Sequence, residues 1–271
     1  MNIQDRLALA RQLIPLARAA GAIELHYYKE GAEVIDKADG SPVTIADQEA
    51  EALIAKGLAE IAPHIALVGE EATAANNIPD IASGTFFLVD PLDGTKEFIT
   101  GGGDFTVNIA LLQNFRPVMG VIYAPVTDTL WYGATGDDGT GGQAFVQLAG
   151  ANGDTAHDQP MQVRAKPADG LTVVASRRHG DPSALEDFLR PYQVREMINR
   201  SSSLKFCAIA QGQADLYPRL GPTSEWDTAA GEAIVHAAGG RVSQLDGTPM
   251  VYGKSERKFL NPGFVVHAFA A

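Results

Sequence analysis

The sequence predicts a layered α/β or α+β fold, in which helices and short strands are mixed along the chain. Three observations support this class. Residues 3–29 carry apolar side chains at close to the helical period, short apolar segments of strand length recur between residues 65 and 132, and a glycine-ended helix is indicated near residue 230. Because strands and helices do not follow a strict βαβ alternation, we expect separate layers of helix and sheet.

The N-terminal part of the chain is predicted to contain two helices and two short buried strands. Pro15 is expected to kink or break the first helix, over residues 3–29. The second helix covers residues 43–61, where Thr44 can cap it and Asp47 lies in the first turn, near free backbone N–H groups. The strands, residues 65–68 and 86–89, each end directly in acidic residues.

The rest of the chain is predicted to form more strands and three further helices. An antiparallel pair is expected around Arg116-Pro117, and a Gly-, Asp- and Asn-rich stretch over 136–160 is the best candidate for a boundary. We therefore predict two subdomains, 1–150 and 151–271. The predicted strands are 105–113, 118–132, 171–176 and 215–218, and the predicted helices are 183–189, 204–211 and 226–238, the last ended by Gly239-Gly240.

The composition is that of an ordinary globular chain, with 45% hydrophobic and 20% charged residues over 271 positions. The formal net charge is −12, so no nucleic-acid partner is expected, because such binding needs a cationic surface. We find no signal peptide and no apolar stretch near the ~20 residues that span a bilayer. These features predict a cytoplasmic protein without an integral membrane segment. The single cysteine, Cys207, is predicted to be a buried, inert thiol.

The segment from Val89 to Lys96 carries the most chemical information. Asp90 and Asp93 follow an apolar strand, on a turn shaped by Pro91 and Gly94. Neighbouring carboxylates raise each other's pKa unless a positive charge lies between them. A hard divalent cation meets this need, and oxygen ligands suit magnesium better than zinc. Without a metal, the same residues would form an Asp-Pro turn that caps a helix.

Two neighbouring groups extend this hypothesis. Gly94 allows backbone N–H groups to approach an anion closely, and Thr95 starts a short predicted helix. A glycine followed by the start of a helix is a suitable binding position for a phosphate. Glu70 and Glu71 follow a buried strand, where α/β sites collect ligands, although a solvated strand end is the alternative. Asp227 opens the glycine-ended helix, where a first-turn acid is also favoured by the helix dipole alone. The combined ligand set, sufficient for two or three magnesium ions, is Asp47, Glu70, Asp90, Asp93, Thr95 and Asp227.

The acidic motifs of the chain are Glu70-Glu71, Asp90-Pro91-Leu92-Asp93-Gly94-Thr95 and Trp226-Asp227-Thr228-Ala229-Ala230-Gly231. They resemble the signatures of the lithium-sensitive inositol monophosphatase superfamily. Further strings resemble its CysQ-type 3′(2′),5′-bisphosphate nucleotidases: Asp93-Gly94-Thr95-Lys96-Glu97-Phe98, Ser202-Ser203-Leu204-Lys205-Phe206-Cys207 and Leu260-Asn261-Pro262-Gly263-Phe264. The resemblance runs from Val43 to Phe264. It implies an αβαβα sandwich of the sugar-phosphatase type with mixed, largely antiparallel sheets, whose N-terminal subdomain binds metal and whose C-terminal subdomain completes the active site.

The resemblance also implies roles for individual residues. Glu70, Asp90 and the main-chain carbonyl of Leu92 would hold a first magnesium ion, and Asp90, Asp93 and Asp227 a second. Asp47 and Thr95 would polarise the attacking water. The substrate would be adenosine 3′,5′-bisphosphate (PAP) or its sulfated form, with the hydrolysed 3′-phosphate above the N–H groups of Gly94 and Thr95. Its second phosphate would bind at His179, Ser202, Lys205 and Arg219.

Several alternatives stay open at this point. If they do not bind the second phosphate, Lys205 would only cover an apolar helix face with its side chain, and His179 would be a surface loop residue. The resembled family has Ser-Arg-Ser-His where this chain has Ser176-Arg177-Arg178-His179, which leaves the contact of His179 and the role of Arg178 open. Glu71 is a candidate for orienting the metal site or for pointing away from it. Inositol monophosphate and fructose 1,6-bisphosphate are alternative substrates, and a non-catalytic nucleotide-binding protein is an alternative of another class. A monomer and a homodimer are both compatible with the sequence. Peripheral attachment to the inner membrane also stays open, although the sequence shows no amphipathic or lipidation signal for it.

Overall fold

Helices and sheets alternate in layers through the part of the chain that the computed structural model describes: residues 1–31, 34–36, 42–136, 139, 141–149, 157–176 and 181–269. The helices are α1 (Ile3–Glu30), α2 (Ile45–Ile61), α3 (Glu70–Ala74), α4 (Thr95–Ile99), α5 (Pro182–Leu189), α6 (Leu204–Ala210) and α7 (Trp226–Ala237). The strands are β1 (Val34–Asp36), β2 (Pro42–Thr44), β3 (Ala66–Gly69), β4 (Phe86–Asp93), β5 (Thr106–Gln113), β6 (Arg116–Ala124), β7 (Thr129–Thr135), β8 (Gly142–Gln147), β9 (Gln159–Met161), β10 (Leu171–Ala175), β11 (Val194–Asn199), β12 (Leu216–Arg219), β13 (Thr223–Ser224), β14 (Arg241–Gln244), β15 (Leu260–Asn261) and β16 (Phe264–His267).

The larger sheet has seven strands in the order β3-β4-β5-β6-β7-β8-β9. Only the pair of β3 and β4 is parallel within this sheet, and the other neighbours are antiparallel. Helices α1 and α2 cover one face, where Leu13 and Ile54 pack with Phe87 and Tyr132 of the sheet. Helix α1 begins at a capping box, in which Asn2 and Asp5 each accept the other's backbone N–H.

The second sheet has five strands in the order β11-β10-β12-β16-β14, with parallel pairs at β10 and antiparallel pairs at β16. Helices α6 and α7 lie in the core between the two sheets. A Cβ at Gly120 of β6 would lie 2.3 Å from the carbonyl oxygen of Ala230 in α7, so glycine allows this helix to lie directly on the sheet. Phe188 and Leu189 of α5 pack on the outer face of the second sheet. The predicted αβαβα layering, with mixed and largely antiparallel sheets, is confirmed.

The predicted elements are largely present, with four corrections. Helix α1 continues through Pro15 without a break. Strand β4 runs on through the Asp-Pro-Leu-Asp segment to Asp93, where a turn was expected. Residues 118–132 form two strands, β6 and β7, and not one. The looser stretch, 136–160, contains β8 and the start of β9, and these two strands pair in the larger sheet. The division into two subdomains stays a prediction.

Two predictions about individual features have structural counterparts. Cys207 is 1% exposed in the core between the sheets, and burial raises the pKa of its thiol well above the usual value. This confirms a buried cysteine. Among the helices that the structure describes, none has the length and apolar character needed to cross a bilayer.

Candidate active site

The end of β4 carries the first two carboxylates of the site. Asp90 faces Asn108 on β5 and Asp93 faces Thr106, with a shift of register between the two pairs. The shift accommodates one extra residue in the Pro91-Leu92 segment of β4 while the strand continues to pair. Oδ1 of Asp90 accepts the N–H of Leu92 at 3.0 Å. Both acids are therefore displayed from a rigid strand and not from a free loop.

A third carboxylate comes from the first turn of α7. One oxygen of Asp227 accepts hydrogen bonds from the hydroxyl of Thr223 and, at 3.2 Å, from the N–H of Ser224. One oxygen each of Asp90, Asp93 and Asp227 lies within 4.8 Å of the other two. We call these three residues the carboxylate cluster. The fold thus brings together acids that are 137 positions apart in the sequence, from Asp90 to Asp227.

The electrostatics of the cluster fit a bound cation. Burial raises the pKa of Asp90 well above its usual value, and the charges of Glu70 and Asp93 raise it further. Burial also raises the pKa of Asp227 to about 7, with Asp93 as the next cause. Among the described residues, no lysine or arginine forms an ion pair with the three acids. An all-oxygen donor set of this charge suits Mg²⁺, which would remove the mutual repulsion.

Asp47 and Thr95 lie side by side, as predicted. The Thr95 hydroxyl is 3.4 Å from Oδ1 of Asp47 and 3.3 Å from the carbonyl oxygen of Leu92. The other oxygen of Asp47 accepts the N–H and the hydroxyl of Thr44, each at 2.7 Å. Asp47 is only 2% exposed, so these contacts fix its orientation.

Glu70 and Glu71 open α3, directly after β3. The charge of Glu70 raises the pKa of both Asp90 and Asp227, which places it beside the cluster. The start of α3 is held by a buried acid, Glu51, which accepts the N–H groups of Glu71 at 2.8 Å and Ala72 at 2.7 Å. Glu51 therefore fixes the backbone that carries Glu70. Both Glu70 and Glu71 line the cavity described next.

A cavity of about 910 Å³ opens over the cluster. Gly94, in its wall, has φ +100°, and a Cβ there would lie 2.9 Å from the carbonyl oxygen of Asp104. Only glycine fits this left-handed position, which frees the backbone at the start of α4 to face the cavity. The volume is in the range of sites for small molecules.

Of the four residues predicted to bind a second phosphate, three line the cavity and one lies outside the described residues. Lys205 is only 3% exposed, and its ammonium donates to the carbonyl oxygen of Ser202 at 2.5 Å. Burial lowers the pKa of Lys205 to about 8, against the opposing effect of Asp93. Ser202, at φ +57°, donates its hydroxyl to Asp93 at 2.6 Å, and Arg219 donates to the carbonyl oxygen of Pro222 at 3.0 Å. All three line the cavity, whereas His179 lies outside the described residues.

Comparison with known proteins decides the family of this fold and site. The model of the inositol monophosphatase family matches residues 5–267. The chain belongs to the inositol monophosphatase family. Its similarity to 3′(2′),5′-bisphosphate nucleotidase CysQ of Escherichia coli O157:H7 is 41% identity over 261 residues, covering 95% of this chain and 99% of that protein. The CysQ protein of Salmonella typhimurium is 42% identical, with the same coverage of 95% and 99%.

Solved structures agree with this placement in the inositol monophosphatase family. The crystal structure of CysQ from Bacteroides thetaiotaomicron matches with a TM-score of 0.77 and 38% identity, over 97% of each chain. The extragenic suppressor protein SuhB from Bartonella henselae matches with a TM-score of 0.73 and 26% identity, over 96% of this chain and 93% of that one.

Two buried acids of this inositol monophosphatase family member were not singled out from the sequence. Glu51 lies one turn after Asp47 on the buried face of α2, and this spacing of four residues is the signal that was overlooked. Glu225 precedes Trp226-Asp227 and is fully buried, yet an isolated glutamate before a helix gives no sign that it will be buried.

Proposed function

We propose that this enzyme is a magnesium-dependent 3′(2′),5′-bisphosphate nucleotidase that hydrolyses the 3′-phosphate of PAP to give AMP and phosphate. One observation carries the proposal: three carboxylates from distant segments converge within 4.8 Å in a cavity that also contains Thr95, Lys205 and Arg219. The names of the relatives at about 40% identity, over nearly the whole length of each protein, support the substrate class.

The residues that would hold magnesium are the three cluster acids together with Glu70 and Leu92, all of which line the same cavity. Glu70, Asp90 and the carbonyl of Leu92 suit a first ion, and Asp90, Asp93 and Asp227 suit a second, with a third ion left open. When bound, magnesium supplies positive charge that makes water more acidic and offsets the charge on the leaving oxygen.

The Asp47 and Thr95 pair is suited to moving a proton away from the attacking water. Thr95 Oγ1 has one proton, and donation of this proton to Oδ1 of Asp47 leaves a lone pair that accepts a hydrogen bond from water. Thr44 keeps the other oxygen of Asp47 occupied, so that Oδ1 faces Thr95. The 3.4 Å separation is long for a hydrogen bond, as is common before substrate tightens a site.

The two phosphates of the substrate would contact different groups, backbone N–H groups for one and side chains for the other. Backbone N–H groups of Gly94 and Thr95 would contact the 3′-phosphate beside the cluster. The second phosphate would contact Lys205, Arg219, Ser202 and His179. Ser202 must then turn its hydroxyl away from Asp93, which becomes easier when a cation neutralises Asp93.

A phosphate-release assay with and without millimolar magnesium tests the proposal. PAP, inositol 1-phosphate and fructose 1,6-bisphosphate are compared by kcat/KM. We expect PAP to be preferred and activity to vanish without magnesium. A clear preference for inositol phosphate or fructose bisphosphate would overturn the nucleotide assignment. Magnesium-dependent binding of PAP without any phosphate release would favour a non-catalytic binding protein.

A further inference from the structure

Glu225 lies two residues before the cluster residue Asp227, is 0% exposed and has no part in the proposed chemistry. Its carboxylate accepts the N–H groups of Gly253 at 2.7 Å and Lys254 at 3.0 Å. The ammonium of Lys254 lies 2.6 Å from Oε1 of Glu225. The charge of this buried acid is thus matched by an ion pair, whereas none joins the cluster acids to a lysine or arginine within the described residues.

The contacts of Lys254 close a ring around the start of α7. Lys254 Nζ donates to Oδ1 of Asn261 at 2.8 Å, and Nδ2 of Asn261 donates to the hydroxyl of Thr228 at 2.9 Å. The Thr228 hydroxyl donates to the main-chain carbonyl of Glu225 at 3.0 Å. We call Glu225, Lys254, Asn261 and Thr228 the clamp. Glu225, the N-cap residue of α7, and Thr228, in its first turn, lie on either side of Trp226-Asp227, so the backbone of Asp227 is held at both ends.

The segment that supplies the other half of the clamp would not keep its shape without support. Lys258 and Phe259 have φ of +52° and +57°, a left-handed conformation that costs energy in residues other than glycine. Phe259 is fully buried, with its ring 6.0 Å from that of Trp226. The clamp and this aromatic contact together hold the segment against the residue next to Asp227.

The same segment also reaches the substrate cavity. Arg257, Lys258 and Leu260 line it, together with Asp227. Loosening the clamp would therefore move a wall of the cavity and one member of the cluster relative to Asp90 and Asp93, which are fixed on β4.

We propose that the Glu225–Lys254 pair is a positioning device that sets the affinity of the carboxylate cluster for divalent cations, without contacting the cation or the substrate. A metal site binds tightly only if its ligands are held at the right separation before the metal arrives, and groups behind the ligands supply that restraint. The inference rests on the proposed role of Asp227 as a magnesium ligand.

The test uses Lys254→Met, which removes the ammonium and leaves the backbone contacts of Glu225, and the milder Glu225→Gln. We expect the magnesium concentration for half-maximal PAP hydrolysis to rise about 10-fold in Lys254→Met and about 3-fold in Glu225→Gln, as for other changes behind metal ligands. At saturating magnesium, kcat should stay within about 2-fold of the wild-type value. Without substrate, a given magnesium concentration should raise the Tm of both variants less than that of the wild type.

Asp215→Asn is the matched control, because Asp215 is another fully buried acid, held by Arg164 and by the N–H of Thr172. It should lower Tm without changing the magnesium requirement. Clamp variants that lose stability like this control, but keep the wild-type magnesium requirement, would overturn the positioning role. Asp227→Asn separates the two assumptions: if it keeps the full magnesium-induced rise in Tm, the ligand assignment itself is wrong.

Discussion

The acids around Asp227 fall into two groups, which differ in the partners of their carboxylates. Behind Asp227, Glu225 forms an ion pair with Lys254. Glu232 accepts the hydroxyl of Tyr252 at 2.6 Å, and burial raises its pKa to about 7, which favours the protonated form. In front of it, the cluster acids receive hydrogen bonds from hydroxyl, amide and backbone groups but no ion pair within the described chain. A buried charge is tolerated only when it is paired or protonated. Burial alone therefore does not mark a metal site. What distinguishes the cluster is that its three acids face one another without an ion pair to a lysine or arginine of the described chain.

The largest expected effect comes from the cluster. Asp93→Asn removes one ligand charge and should lower kcat for PAP at least about 10³-fold at millimolar magnesium, because the charge that holds the cation is used in every turnover. The fold should be kept, since the amide still accepts from Ser202. Phosphate release measures the loss of kcat, and thermal unfolding followed by circular dichroism shows whether the fold is kept. Near-wild-type activity would contradict the assignment of Asp93 as a ligand.

The group behind Asp227 should show the opposite behaviour, a loss of stability without a loss of chemistry. Tyr252→Phe leaves the buried Glu232 without its hydroxyl donor and should cost about 1–3 kcal/mol of unfolding free energy. Urea denaturation measures this cost, and kcat at saturating magnesium should change little. Unchanged stability with a reduced kcat would contradict the view that the group behind Asp227 supports the fold and not the reaction.

Lys205 tests whether a buried cation beside the cluster serves the substrate. Lys205→Ala should raise KM for PAP about 10-fold, the effect of losing one charged contact with phosphate, and change KM for 3′-AMP much less. Because its pKa is lowered to about 8, the contact should also weaken as pH rises through that value and the ammonium loses its proton. Steady-state kinetics on both nucleotides between pH 7 and 9 check this. Equal effects on the two substrates would remove Lys205 from the second-phosphate site.

The smallest effect is expected at Glu24, a fully buried acid on α1. Neither of its oxygens has a hydrogen-bond partner among the described residues, and burial raises its pKa well above the usual value. As pH rises above about 4.5, the unfolded chain ionises first, so the stability of the fold falls until the folded pKa is reached. Glu24→Gln should therefore stabilise the protein by about 1 kcal/mol at pH 8 and by less at pH 5. Glu60→Gln, at an exposed position, is the control, and an equal effect at both pH values would count against this explanation.

The sequence predicts the layered fold and the convergence of the acids, because the motifs around Asp90 and Asp227 are contiguous and sit at the ends of clear elements. It does not predict that β4 continues to Asp93, since pairing with β5 outweighs the turn preference of Pro91. Local patterns report local conformation, and strand pairing is decided by a distant segment.

The contacts of the side chains behind the site could not be predicted from the sequence either, because they also depend on distant segments. Glu225 and Lys254 are 29 positions apart and belong to no motif that the sequence analysis singled out, so nothing local indicates that they meet. Lys205 is visible as a cation in a recognisable string. Its burial follows from the packing of α6, which places its ammonium over the ring of Tyr217 at 5.4 Å. Ion pairs between distant residues and the burial of a charged side chain depend on how the helices and sheets pack, so local sequence does not predict them.

The most direct test of the cluster is to count the protons released when magnesium binds. Metal ligands must be deprotonated, and the pKa of Asp227, which burial raises to about 7, means that the free cluster is partly protonated near neutral pH. Calorimetric titration of the metal-stripped protein, in two buffers with different ionisation enthalpies, gives this number. We expect net proton release at pH 6.5 that declines by pH 8.5 and is reduced in Asp227→Asn. Magnesium binding with no proton release at any pH, or no binding at all, would contradict it.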